Sequence, residues 1–329
     1  MARRISPAWW PVIAVSSPVL IPMLMRKNRR FKENRQRSHE VNTARIEKAK
    51  PLAMPPLDHC ELTVLVEQKT EPGFLGAPGV SYRIKTDLGS VLFDVGFGPE
   101  MPALSHNARK IGFELKDADA LAISHLHPDH MGGHQAVREK EVMVPREIGD
   151  PQGQPCFVPA QATAEGFQAE VVEGPRMLHA GIASTGPLSR SLFFFGWTEE
   201  QALIARIKGK GLVVITGCGH PTIETIIQMA RKLSDEPIYA VGGGLHFPIT
   251  DSPLRKRGLK LQMIVGTGKP PWRRLTDADL SRTIDSLNDA APQRVFLSAH
   301  DTCDHAIDRF QNELTCKTDV LKAGATYQL

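Results

Sequence analysis

The chain changes its pattern of apolar and polar positions near residue 57. Before that point there is no alternation. Ala8 to Met25 form one uncharged, mostly apolar run, interrupted by Pro11, Pro18 and Pro22. Its length approaches the ~17–25 residues that cross a bilayer, and Trp9 and Trp10 stand where an interfacial aromatic belt would. Residues 1–25 therefore predict a membrane-anchor segment, either spanning the bilayer or, because the prolines interrupt a helix, lying in its surface. Arg26, Lys27, Arg29, Arg30, Lys32, Arg35 and Arg37 follow at once and outweigh Arg3 and Arg4. That bias places the C-terminal side in the cytoplasm and would draw the segment to anionic headgroups. No small-x-small cleavage site follows the run, which argues against a signal peptide. Residues 26–56, basic and then holding Pro51, Pro55 and Pro56, read as a linker.

From Leu57 to Leu329 the pattern is that of one folded α/β domain. Cys60–Glu67 and Val80–Lys85 read as strands, and Asp87-Leu88-Gly89 turns the chain into the strand Val91–Asp94. Met101–Ile111 reads as helical. A recurrent unit then appears, an apolar strand followed by a loop carrying a histidine. Ala120–Ile123 delivers His125, Leu212–Thr216 delivers His220, Pro237–Val241 delivers His246, and Arg294–Ser298 delivers His300. Thr222–Leu233 has clear helical periodicity. Glu199–Ile207 reads as a surface strand or helix. Residues 145–190 are poor in periodicity and rich in Gly, Pro and Ala, as substrate-covering loops often are.

Charge and cysteine content narrow the classes. The formal charge of +4 conceals an asymmetry: residues 1–50 hold twelve Lys and Arg against three Glu, leaving 28 basic against 33 acidic residues in the remainder. A mildly acidic folded domain argues against nucleic acid as partner. The five cysteines are odd in number and scattered without a C-x-x-C, which fits a reducing compartment rather than a disulfide framework. Gly266-Thr267-Gly268-Lys269 has the wrong spacing for a phosphate-binding P-loop.

The candidate chemistry centres on Ser124-His125-Leu126-His127-Pro128-Asp129-His130-Met131-Gly132-Gly133. Three imidazoles and a carboxylate within six residues form a metal-site constellation suited to zinc and neighbouring transition metals. This H-x-H-x-D-H stretch resembles the signature of the metallo-β-lactamase superfamily. Val91–Gly96, Ile215–His220, Val241–Phe247 and Ser298–Cys303 resemble its other motifs. The T-G-C-x-H and G-G-x-H forms are most similar to the branch of 7,8-dihydropterin-6-yl-methyl-4-(β-D-ribofuranosyl)aminobenzene 5'-phosphate synthase-like proteins. The last motif departs from that branch, with His300-Asp301-Thr302-Cys303 where the branch reads His-Cys-Thr-Gly.

The resemblance implies an αββα sandwich over 57–329 with two divalent ions at one edge, zinc first, with manganese, iron and magnesium as alternatives. It assigns His125, His127 and His220 to one ion and Asp129, His130 and His300 to the other. Asp129 would also orient the attacking hydroxide. Relatives often bridge the ions with an Asp, whereas Gly-Gly-Gly-Leu-His stands here, so His246 reads as a hydrogen-bond donor to a substrate phosphate or, alternatively, as a replacement ligand. Asp94 reads as a carboxylate that orients ligands, or as a turn cap. Cys218 and Cys303 read as small buried residues rather than as a nucleophile or a ligand, and His305 as a reserve ligand should His300 point away. The expected activity is metal-dependent hydrolysis of a small molecule bearing phosphate or diphosphate. The alternatives are a synthase-like transferase, a membrane-associated phospholipase-like hydrolase and a metal-binding scaffold.

Overall fold

A computed structural model describes residues 3–329. Two mixed sheets lie face to face. The first has the order 326–328, 60–66, 81–86, 89–93, 120–122, 155–158 and 168–171. The second runs 176–177, 182–184, 203–207, 211–216, 238–243, 294–297 and 317–320, with Pro56–Leu57 added beside 203–207. Leu62, Val64, Tyr82 and Phe93 of the first sheet meet Leu203, Val213 and Phe296 of the second in a dry layer between them. The outer face of the second sheet is covered by helices Ile223–Leu233, Asp277–Ala290 and Asp304–Glu313. Helix Ala103–Ile111 and neighbouring loops cover the first. Because both faces of each sheet are apolar, the central strands read as near-continuous hydrophobic runs, as in Gly211–Thr216, buried at every position.

Topology places the histidines. Strands 89–93, 120–122 and 155–158 pair in parallel in one sheet, as do 211–216, 238–243 and 294–297 in the other. Parallel pairing brings the C-terminal ends of these strands to one edge, and each histidine loop leaves from such an end.

The N-terminal region differs from the reading of residues 26–56 as a linker. A single helix, α1, runs from Trp10 to Lys48, through Pro18 and Pro22 and on through the basic segment. By length and composition its apolar half could cross a membrane, and none of that stretch is buried. Its polar half is docked, with Phe31, Ser38 and Asn42 forming one buried stripe at helical spacing. Residues 26–48 are therefore ordered helix rather than tether. The irregular stretch 145–190 contains short strands, and 199–207 divides into two strands, Gly196–Glu200 and Leu203–Ile207.

Candidate metal centre

The loop after strand 120–122 is fixed by Asp94, itself at the end of strand 89–93. Asp94 is fully buried in left-handed backbone conformation, φ 62°, a region Asp tolerates better than most residues. Its carboxylate accepts from the Ser124 backbone N–H (2.6 Å), the Ser124 hydroxyl (2.7 Å) and His130 Nδ1 (2.7 Å). With its own proton committed to Asp94, Ser124 Oγ accepts from His125 Nδ1 at 2.9 Å. Both imidazoles are thus held through Nδ1, with Nε2 facing inward. A Cβ at Gly217 would overlap Ser124 Oγ, so glycine there lets the next histidine loop pack against this one.

A second relay mirrors the first. Glu67, buried at the end of strand 60–66, accepts from Ser298 Oγ at 2.5 Å and Tyr82 OH at 3.1 Å, while Ser298 Oγ stands 2.5 Å from His300 Nδ1. Burial pushes the Glu67 carboxyl up to about 8. A third buried carboxylate, Glu200, accepts from the backbone N–H groups of Gly219 (2.7 Å) and His220 (2.8 Å) and fixes that loop; burial pushes it up to about 7.

These supports gather two groups of donors. His125, His127 and His220 offer nitrogens within 4.8 Å of one another, and so do Asp129, His130, Cys218 and His300 through their ligand atoms. Cys218 Sγ lies 3.0 Å from His130 Nε2 and 3.3 Å from His300 Nε2. It also groups with His220 and His246, so the thiol stands where the clusters meet. Cys218 is therefore a candidate ligand as well as a buried residue, which its burial alone would not suggest. His305 is far from this role: it lies on the surface, 2.6 Å from Asp277, while His300 faces inward.

The donor set fits divalent metal. Buried His125 Nε2, His220 Nδ1, both nitrogens of His246 and Asp301 Oδ2 have no hydrogen-bond partner, and buried polar atoms without partners are costly unless something completes them. Burial lowers His127 to about 4 and holds His125 and His220 well below the ordinary imidazole range, which keeps them in the neutral, ligating form. At His130 burial also lowers the pKa, but Asp129 and Asp94 outweigh it and raise the group to about 9. Asp301, which replaces the cysteine expected from the resemblance, is buried with Oδ2 3.6 Å from His246 Nδ1 and 3.7 Å from His300 Nε2. His246 (φ 58°) and Thr222 (φ 80°) share Asp94's left-handed backbone. All three positions adjoin the site, where such strain commonly concentrates.

Beside the clusters is a small cavity of about 70 Å³ lined by Arg190, His220, His246, Gly266 and Thr267. The Arg190 guanidinium forms no ion pair among the described residues and approaches Gly268, where a Cβ would overlap it. The hairpin of strands Leu188–Leu192 and Gly196–Glu200 supplies Arg190, Glu200 and, at its tip, Phe195, whose ring lies 4.5 Å from that of His127. Sequence reasoning passed over all three. Only the run Phe193-Phe194-Phe195 signalled anything, because an aromatic triplet at a turn is too apolar for an ordinary loop.

Two β-sheets sandwiched between helices, with histidine loops at one edge, match the solved structure of Tm1679, titled a metal-dependent hydrolase of the β-lactamase superfamily. The TM-score is 0.56 at 23% identity, over 82% of this chain and 99% of that one. This is the metallo-β-lactamase fold. The metallo-β-lactamase fold protein YhfI from Bacillus subtilis superposes with a TM-score of 0.50 at 14% identity, over 83% of this chain and 100% of that one. The sequence profile of the metallo-beta-lactamase superfamily matches residues 76–151, which include the H-x-H-x-D-H loop. Among curated proteins, 7,8-dihydropterin-6-methyl-4-(beta-D-ribofuranosyl)-aminobenzene-5'-phosphate synthase of Methanocaldococcus jannaschii is 23% identical, over 57% of this chain and 79% of that protein.

Proposed function

We propose that the protein is a binuclear metal-dependent hydrolase acting on a small molecule that bears phosphate or diphosphate. The observation that carries this reading is the pair of inward-facing donor clusters meeting at Cys218, with Arg190 beside them. His125, His127 and His220 would hold one ion, and Asp129, His130, Cys218 and His300 the other. Two divalent ions there supply Lewis acidity toward a phosphoryl oxygen and lower the pKa of water toward neutrality. The chain does the rest. Asp94, directly at His130 and through Ser124 at His125, and Glu67, through Ser298 at His300, hold the imidazoles in place. The half-buried Asp129 carboxylate accepts a hydrogen bond from the attacking water. Arg190 presents a guanidinium to the anionic group, a geometry suited to phosphate, and His246, lining the same cavity, adds a second donor. Phe195 covers His127 and limits water on that side.

The test is metal content and turnover of phosphomonoesters and diphosphates by the full chain, beside Arg190→Gln. Two equivalents of metal, with KM raised about 10–100-fold in the variant for loss of a charged hydrogen bond, support the reading. One equivalent, or an unchanged KM, overturns it. The similarity to a synthase favours a second reading, transfer onto a carbon or nitrogen acceptor with diphosphate leaving. Product appearing only when an acceptor is supplied would establish that alternative.

A further inference from the structure

The apolar half of α1 is held to the domain at both ends. At its C-terminal side, Phe31 packs on Phe193 at 5.6 Å between ring centroids, and Asn42 exchanges two hydrogen bonds with the Ser189 backbone. At its N-terminal side, the Ser6 N–H donates to Gly258 O (3.1 Å), Trp9 Nε1 to Arg257 O (3.0 Å) and Arg4 Nη1 to Arg273 O (3.1 Å). The segment containing Gly258 and Arg273 belongs to the folded domain, between the His246 loop and helix Asp277–Ala290. A helix crossing a bilayer would carry residues 4–9 to the far side, away from these partners.

The exposed surface has the composition of an in-plane membrane face. Val12, Val15, Val19 and Met23 on one side of the helix and Trp10, Ile21 and Met25 on another are each at least half exposed, whereas Ile13, Leu20 and Leu24 are partly covered. Both ends of the run are basic, Arg3 and Lys256 at one and Arg26 and Arg30 at the other, and none of these four forms an ion pair among the described residues. Headgroup-level charge at both ends of an apolar helix suits a segment lying along one leaflet better than one spanning two. At the basic end of the run, Met23, Arg26, Lys27 and Arg30 face Phe194 and Phe195 across a cavity of about 530 Å³. Phe195 in turn lies on His127, and exposed Trp272 packs on Phe193. The cationic end of the helix thus opens beside the metal centre.

We infer that α1 docks the protein in-plane on one leaflet of an anionic bilayer without crossing it, and that the cavity between Arg26, Arg30 and Phe195 receives the phosphate headgroup of a lipid from that leaflet. This docking does not depend on the hydrolytic reading of the site, and its test reads binding alone. The full chain is floated with phosphatidylcholine vesicles, with and without phosphatidylglycerol. Binding that requires the anionic lipid, weakened at least about thirty-fold by Arg26→Glu with Arg30→Glu and by Val15→Asp with Val19→Asp, is the expected result. Equal binding to neutral vesicles, or no effect of the charge reversals at unchanged melting temperature, overturns it. Sidedness is read in membrane vesicles from expressing cells with an impermeant maleimide. The background is Cys316→Ser, because the other four cysteines are buried. Ala8→Cys and Glu40→Cys should be labelled together or protected together. Labelling of one with protection of the other would show a spanning helix and sink the inference.

Discussion

Replacing Asp94 by Asn isolates what one buried carboxylate does for the metal centre. Asn tolerates the left-handed backbone that Asp94 occupies, so the substitution leaves the turn intact, which Asp94→Ala would not. The amide oxygen can still accept from the Ser124 N–H. At the other position an N–H group would face the Ser124 hydroxyl and His130 Nδ1, both of which donate to Asp94 in the native protein at 2.7 Å. Two hydrogen bonds to a charged acceptor are lost, each worth roughly 1.5–3 kcal/mol. The least costly relief is for His130 to move its proton to Nε2 and accept at Nδ1. That places an N–H where Cys218 and His300 converge, within 3.0 Å of the thiol, and removes the lone pair a metal needs. Loss of such outer partners typically costs 10–100-fold in metal affinity, and the tautomer change puts this case at about 100-fold. The assay is zinc titration of the full chain against a chromophoric chelator. One of two equivalents should weaken about 100-fold, while the other changes only several-fold because His125 keeps Ser124 Oγ as acceptor. Retention of both equivalents within twofold of the parent would refute the reasoning.

Glu67→Gln should flatten the pH dependence of stability. The Glu67 pKa is raised from 4.5 to about 8 in the fold, so between those values the native state binds the extra proton and the free energy of unfolding falls as pH rises. The loss approaches about 1.4 kcal/mol per unit across that window; melting curves that keep the same slope in the variant would contradict it. The cobalt-loaded protein should show a thiolate-to-cobalt charge-transfer band that Cys218→Ser abolishes, and a parent spectrum without that band would return Cys218 to the role of a buried small residue. Asn42→Ala should lower stability by about 1–3 kcal/mol by orphaning the Ser189 N–H and C=O, as read by denaturant unfolding; a change below ~0.5 kcal/mol would mean α1 is not docked as described.

The histidine loops were legible in the sequence because each is contiguous, follows an apolar strand and concentrates imidazoles no ordinary loop needs. The sandwich came through the family resemblance those loops carry, not from the strand pattern by itself. What escaped depends on pairing between distant segments. Glu200 holds the His220 loop only because the strand 196–200 ends beside it, and nothing in Trp197-Thr198-Glu199-Glu200 distinguishes the buried Glu200 from its half-exposed neighbour Glu199. Arg190 reads as a plain exposed cation within Ser189-Arg190-Ser191 until the hairpin turns it toward His220. Residues 26–48 were read as linker because prolines nearby and charge dominate the impression. Their Arg, Lys, Glu and Gln content is nevertheless helix-favouring, and a stripe of Phe31, Ser38 and Asn42 gave them a surface on which to dock.

The hairpin under α1 has a consequence for handling and for evolution alike. The same two strands that grip the helix through Ser189, Ser191 and Glu199 carry Arg190, Glu200 and Phe195 into the centre. Cutting away residues 1–50 to obtain an easily handled protein would not merely free the domain from a surface. It would uncover the back of the wall that carries Arg190 and Glu200 and change the instrument along with its mounting. Conversely, any force or insertion that shifts the helix is felt at the aromatic tip above His127, so in this chain the helix and the metal-site wall are two loads on one beam.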